Sequence, residues 1–190
     1  MRMPPSRHLS RSSGSVITSS SIPAIQSISG SRLDTPAVSM GSSRCYFLVI
    51  KRLGAAFSGG GAYHNLVIQG ASPFYQLYIP NSDSKLKYYD GAVRDTGDII
   101  PTSQVLNAVC QNSSSGTIRL NGTEILALGS GASALNSAFS FMGYSSFASN
   151  AYFSEIIIYN SDESSSFNGI ESNINSHYNI YWDGSQTGLL

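Results

Sequence analysis

Charge is scarce in this chain. Asp, Glu, Lys and Arg make up 12% of its 190 residues, about half the share of an ordinary soluble protein. With 11 basic and 11 acidic side chains the formal net charge is zero, which excludes a chain-wide basic field of the kind that captures nucleic acid. Long apolar runs are missing as well. None reaches the roughly 18 residues that a spanning helix needs, so the expectation is a soluble chain. Cysteine is limited to Cys45 and Cys110. Two isolated thiols match no metal-ligand spacing; they read as small buried apolar side chains, able to pair only if the fold brings them together. His8, His64 and His177 are scattered, and no G-x-S-x-G elbow, Walker loop or dinucleotide glycine pattern occurs. What is plentiful is Ser, together with Gly (18) and Tyr (11), an uncharged and hydroxyl-rich composition. One domain accommodates this length.

The charge that exists is unevenly placed. Residues 1–44 carry five arginines against Asp34 alone, a net of +4, and the remaining six basic and ten acidic residues leave −4. Fourteen of those 44 residues are Ser. Arg-rich, Ser-rich and acid-poor is how an organellar transit peptide reads, whereas no uninterrupted apolar stretch forms a secretory signal. The segment SVITSSSIPAIQSIS, residues 15–29, favours a third reading. Val16, Ile17, Ile22, Ile25 and Ile28 are apolar anchors on a polar, extended strip broken by Pro23. Such a strip does not pack on itself but lies along another protein, adding strand hydrogen bonds or filling pockets. Residues 1–40 are therefore expected to be an extended assembly arm, with Arg2, Arg7 and Arg11 as its basic residues, docked on a neighbouring subunit. The arginines lack interleaved aromatics, so nucleic acid is not the expected partner.

From residue 41 the pattern changes to short β-rich runs separated by turn residues. CYFLVIKR, AYHNLVIQG, FYQLYI, KLKYY, QVLNAVCQN, GTIRL, TEILAL, AFSFMG and AYFSEIIIY are nine such runs at fairly even spacing, which predicts a sandwich or jelly roll. The most specific local signal is TIRLNGTEILAL. Asn121-Gly122 accepts the two positive φ values of a type I′ turn and predicts a tight hairpin of 117–120 with 123–128. PNSDSK, DGAVRDTGD and LGSGAS read as turns or loops. One helix follows the last strand: Phe167, Ile170, Ile174 and Tyr178 recur at spacings of three and four, with Ser161 as its cap and Asp162 and Glu163 at its positive end. Gly169 and many Ser and Asn weaken it, so it should hold only by docking on the sandwich, with Trp182 sealing the join.

The end of the chain carries a resemblance. A strand F-x-E-I-I-I-Y, a short turn and a small helix I-x-x-N-I-N-x-H-Y-x-I are found in Phe153, Glu155, Ile156, Ile157, Ile158, Tyr159, Ile170, Asn173, Ile174, Asn175, Tyr178 and Ile180. This resembles the C-terminal part of concanavalin A-like lectin/glucanase jelly rolls, the laminin-G-like group, and is especially similar to versions from bacteriophages and large viruses. The expected fold is thus all-β, a two-sheet antiparallel jelly-roll sandwich over 41–190 with one short C-terminal helix.

That resemblance makes Glu155 a question. Glycosidases need two carboxylates roughly 5–9.5 Å apart, and the glucanase branch carries them on one strand, where positions i and i+2 share a face. Two residues beyond Glu155 stands Ile157. Phe153, Glu155, Ile157 and Tyr159 are expected on one face and Tyr152, Ser154, Ile156 and Ile158 on the other. Both faces are largely apolar, so the strand should be covered on both sides and Glu155 should be structural, paired or hydrogen-bonded rather than catalytic. No enzymatic activity is expected. Asp83, Asp90, Asp95 and Asp98 supply oxygen atoms, yet their spacing lacks a Ca²⁺-loop pattern, and turn capping accounts for them. No metal or cofactor is therefore expected. Asn112 and Asn121 match the glycosylation acceptor pattern.

Sugar recognition needs an aromatic face for the ring's C–H surface and fixed donors and acceptors for its hydroxyls. Candidates are Tyr63, His64 and Asn65, then Tyr88, Tyr89 and Asp90, and Tyr144. The resemblance implies two functions. The first is a non-catalytic virion structural or decoration protein, on the particle surface and tethered by its arm to other virion proteins or copies of itself. The second is a carbohydrate-binding lectin, secreted or on a cell surface, whose partners are glycans.

Overall fold

The structure, a computed structural model, describes residues 10–12, 16–19, 22–27, 32–56, 63–69, 75–129, 134–144 and 147–181. The strands among them are β1 (Ser10–Ser12), β2 (Val16–Ser19), β3 (Ile22–Gln26), β4 (Arg32–Asp34), β5 (Val38–Met40), β6 (Arg44–Arg52), β7 (Tyr63–Gln69), β8 (Tyr75–Pro80), β9 (Lys85–Tyr89), β10 (Val93–Ile99), β11 (Gln104–Gln111), β12 (Gly116–Leu120), β13 (Thr123–Leu128), β14 (Leu135–Ser137), β15 (Phe139–Phe141), β16 (Gly143–Tyr144), β17 (Phe147–Ala148) and β18 (Ala151–Tyr159); a 3₁₀ turn, Ser164–Ser166, then leads into helix α1 (Phe167–Tyr178). They build two seven-stranded sheets. The first has the order β1-β4-β15-β7-β8-β9-β10 and the second β13-β12-β11-β6-β18-β3-β2. The expected two-sheet antiparallel sandwich is what forms.

Alternation along β6 explains the layering, because successive side chains of a strand point to opposite faces. Tyr46, Leu48 and Ile50 join Val105, Val109 and Phe153 and meet Leu77, Ile79, Leu86, Phe139 and Phe141 of the first sheet. Cys45, Phe47 and Val49 face the other way and, with Leu106, Ala108 and Cys110, receive Phe167 and Ile174 of α1. The helix docks as expected, with Ile170 and Tyr178 packed beside that cluster. It starts later than its cap signal implies. Ser161 instead donates to Glu163 Oε1 at 2.6 Å, and Asp162 accepts the Ser164 N–H at 3.0 Å, where the chain enters the 3₁₀ turn that precedes Phe167. Trp182 lies outside the described residues.

Four expectations are corrected. Cys45 and Cys110 are more than apolar filler: they stand directly opposite each other in the β6–β11 register and form a disulfide. The stretch expected to be a loop, DGAVRDTGD, supplies all but the last residue of β10, an edge strand with Val93 and Ile99 exposed; only an edge tolerates so many charges, and Gly97 at φ +80° sits where its register shifts. A second register shift, between Phe153 and Glu155 in β18, is a bulge that inserts Ser154. Phe153 therefore shares the inter-sheet core with Ile156 and Ile158, while Ile157 and Tyr159 lie under the helix. Finally, part of the arm belongs to the sandwich. β4 pairs with β15, β1 with β4, and β3 with β18; Ile25 packs on the core. Strand hydrogen bonds expected toward a neighbouring subunit are made within the chain. Arg11, Val16, Ile17 and Ile22 are placed in strands, and Arg2, Arg7 and Ile28 lie outside the described residues.

The hairpin turn is as expected: Asn121 and Gly122 have φ of 50° and 79°, and Leu120 pairs with Thr123. A Cβ on Gly122 would stand 2.9 Å from the Tyr181 hydroxyl. Gly122→Ala is thus expected to destabilise by about 1–2 kcal/mol, read as a lower urea midpoint at unchanged m-value. Replacing both cysteines by alanine is expected to remove about 2–4 kcal/mol, measured the same way, with the native circular dichroism spectrum retained.

Candidate functional site

The two outer faces of the sandwich differ. Helix α1 covers the middle of the second sheet, whereas the first sheet carries a row of polar and aromatic side chains on its outer side. Register places Asn65, Tyr78, Lys87 and Asp95 side by side across β7, β8, β9 and β10. The next row holds Ile68, Gln76, Tyr89 and Val93. Neighbouring strands are about 4.8 Å apart, so each row runs about 14 Å across the sheet.

Local contacts fix these side chains. The rings of Tyr63 and Tyr78 meet edge to face, with centroids 5.4 Å apart, and Tyr63 is 37% exposed. Gln76 Nε2 donates to Asn65 Oδ1, orienting both amides. Lys87 Nζ lies 2.7 Å from Asp83 Oδ2 and 3.3 Å from Asp95 Oδ2. Hydrogen bonding to Asp83 holds the Lys87 ammonium above its usual range. Asp83 is held below the carboxylate range by that same bond and by the Lys85 N–H, and Asp95 by the Gly97 N–H and Lys87. These aspartates cap turns, as expected: Asp83 accepts from Lys85 N at 3.1 Å and Asp95 from Gly97 N at 2.8 Å.

The sandwich pleat divides the sugar-binding candidates. Tyr63, Asn65 and Tyr89 share the outer face of the first sheet. His64 and Tyr88 point inward and are buried, which removes them from any surface. Tyr88 donates its hydroxyl to Gln111 Oε1 at 2.8 Å. Gln111 in turn donates to Asp90 Oδ2 at 3.4 Å, and Asp90 also pairs with Arg94 at 3.2 Å, so Asp90 is a strut at the end of the core. Tyr144 lies in β16, which pairs with β17 and is not part of the first sheet. Asn65 is itself buried and serves as the anchor for Gln76. Gln76, Tyr78 and Lys87 were not singled out in the sequence, although stepping back by two from Tyr89 reaches Lys87.

Other polar side chains are structural. Tyr46 donates to Gln69 Oε1 at 3.0 Å, and the buried Arg44 guanidinium stacks 3.8 Å over Tyr75. Arg119 pairs with the buried Glu171 of α1 at 2.9 Å; burial pushes that carboxyl up, Arg119 opposing. Glu155 stands next to the Tyr178 hydroxyl, which burial first and Glu155 second push up to about 12. Asn112 donates to Asp162 at 2.7 Å and accepts from the Ser114 and Ser115 N–H groups, and Asn121 accepts from Leu106 N at 2.9 Å. Among the described residues no cluster of metal-ligating side chains occurs and no helix is long and apolar enough to cross a membrane.

No family model matches this chain, and no curated protein matches it in sequence. Solved structures do match. Domain 4 of AbnA, a GH43 extracellular arabinanase from Geobacillus stearothermophilus in complex with arabinotriose, aligns at a TM-score of 0.61 with 14% identity, over 84% of this chain and 82% of that one. Botulinum neurotoxin type C, described as depending on two ganglioside molecules to get into cells, aligns at 0.64 with 9% identity, over 88% of this chain and 46% of that one. Trypanosoma rangeli sialidase aligns at 0.60 with 13% identity, over 81% of this chain and 28% of that one. This chain thus spans under half of the neurotoxin chain and under a third of the sialidase. At such identities the likeness shows the fold alone: a two-sheet antiparallel β-sandwich.

His64 gives this region a measurable pH response. Burial, with the nearby Arg52 charge adding to it, pushes the imidazole down from 6.5 to about 4. The unfolded chain takes up a proton near pH 6.5 that the folded chain refuses until about pH 4. Its contribution to stability is therefore complete above pH 6.5, falls as pH drops through that window, and amounts to no more than about 3 kcal/mol. Urea midpoints measured across the window should show this slope, and His64→Gln should flatten it.

Proposed function

We propose that this chain is a non-catalytic carbohydrate-binding module that holds glycans on the outer face of its first sheet. The observation that carries this reading is the group of Tyr63, Gln76, Lys87 and Tyr89 on the outer face of the first sheet, where the buried Tyr78 meets Tyr63 edge to face. Tyrosine rings offer an apolar surface for sugar C–H groups. The Gln76 amide, the Lys87 ammonium and the Asp95 carboxylate offer donors and acceptors already fixed by neighbours, which lowers the ordering cost of binding. The structural likeness to an arabinanase domain seen with arabinotriose and to a ganglioside-dependent toxin supports the lectin reading over virion decoration. So does the arm, whose described strands pair with this chain's own sheets.

The module binds without hydrolysis. Beside Glu155 stands the Tyr178 hydroxyl, and the β18 position two residues on is Ile157. The disulfide supports an extracellular or secreted location, since such bonds persist in oxidising compartments.

Tyr89→Ala and Tyr63→Ala are each expected to weaken retention on immobilised glycans by about tenfold without lowering the melting temperature by more than a few degrees. Glu155→Gln is expected to leave both retention and glycan chain length unchanged. Loss of a glucan-cleaving activity in Glu155→Gln would overturn the non-catalytic reading, and full retention in both tyrosine variants would move the site elsewhere.

A further inference from the structure

The charges on this face select among glycans. Glycans fall into two electrostatic classes, neutral chains and those carrying a carboxylate such as a sialic acid. An anionic sugar is recognised by a cation able to meet its carboxylate, best by the fork of an arginine. On the outer face of the first sheet the central cation is already matched. Lys87 sits between Asp83 at 2.7 Å and Asp95 at 3.3 Å. Lys85 acts on the same two aspartates. At the far side of the sheet Arg32 pairs with Asp34 at 2.7 Å; Arg94, in register with the inward Tyr88, pairs with Asp90 at 3.2 Å.

Two aspartates flank Lys87, and with Lys85 acting on the same pair the four charges sum to zero, so no net positive charge is left to hold an anion. A sugar carboxylate approaching Lys87 would meet Asp83 and Asp95 first, and like charges at such separations repel. Neutral hydroxyls meet no such barrier. They can accept from the remaining ammonium N–H and donate to the free lone pairs of the two aspartates, because an ionised carboxylate accepts at several sites. Around this polar centre lie Tyr63, Tyr89 and the exposed Val93 and Ile99, apolar surfaces suited to sugar rings rather than to charge.

Resting on the glycan-binding reading above, we propose that the ligand is a neutral oligosaccharide lying across β8 to β10, and that Asp83 and Asp95 reject sialylated glycans by neutralising Lys87. Strands β8 to β10 span about 10 Å, which suits a short chain of linked rings rather than one terminal sugar.

The test uses the full chain, titrated with arabinotriose, lactose and sialyllactose and followed by calorimetry. At least one neutral sugar is expected to bind, with sialyllactose weaker than lactose by about tenfold or more. The double variant Asp83→Asn, Asp95→Asn releases the Lys87 charge; it is expected to gain sialyllactose binding that fades with added salt, as an exposed ionic contact does. Both aspartates lie at the surface, and a thermal melt confirms that the variant folds. Wild-type binding of sialyllactose at least as tight as lactose would overturn the neutral-ligand inference and leave the glycan reading standing. Absence of binding to these sugars and to a broad array of neutral and acidic glycans would overturn the glycan reading itself. Unchanged sugar preference in the double variant would overturn the role of the two aspartates.

Discussion

Nine residues from Arg44 to Arg52 form a strand whose two faces are both buried, and the positions of the other layers follow from it. Tyr46, Leu48 and Ile50 need an apolar partner on one side, and Cys45, Phe47 and Val49 need one on the other. The first demand is met by the opposing sheet. The second is met by α1, a helix too poor in intrinsic propensity to stand alone, with Gly169 and a run of Ser and Asn in and around it. Once the helix occupies the outside of the second sheet, the outside of the first is the broad face left for a ligand. The proposed glycan site is therefore where the helix is not.

The interior is less uniformly apolar than a sandwich of this size requires. Tyr46 with Gln69, Tyr88 with Gln111, and Arg44 over Tyr75 link the two sheets at one end. Burial of apolar surface is non-directional, whereas hydrogen bonds have preferred geometry. These contacts set the alignment of one sheet on the other. They also explain why a protein with so little charge keeps an arginine with no exposed surface.

Much of the architecture is legible in the residues. Apolar alternation marks β6, β11 and β18, Asn121-Gly122 marks its hairpin, and the spacing of Phe167, Ile170, Ile174 and Tyr178 marks the helix. What escapes the sequence depends on register or context. β10 has the composition of a loop and becomes a strand because β9 offers it an edge. The bulge at Ser154 rephases β18 and has no compositional signal. The disulfide requires that Cys45 and Cys110 fall opposite each other, which no count of cysteines reveals. For the site, grouping Tyr63, His64 and Asn65 by adjacency mixed inward and outward side chains; sorting them by odd and even position separates His64 and Tyr88 correctly. The pairing of Lys87 with Asp83 and Asp95 spans a turn and a neighbouring strand, and only the folded chain brings it about.

The cross-strand bridge has a mechanical meaning. A module that grips a surface-bound polymer is put under tension whenever polymer and protein are pulled apart, and the weak direction of an antiparallel sheet is peeling, one hydrogen-bonded pair after another. Because a covalent bond joins β6 to β11 at the middle of the second sheet, a peeling front arriving from either edge halts there. The two central strands then stay joined until sulfur chemistry releases them.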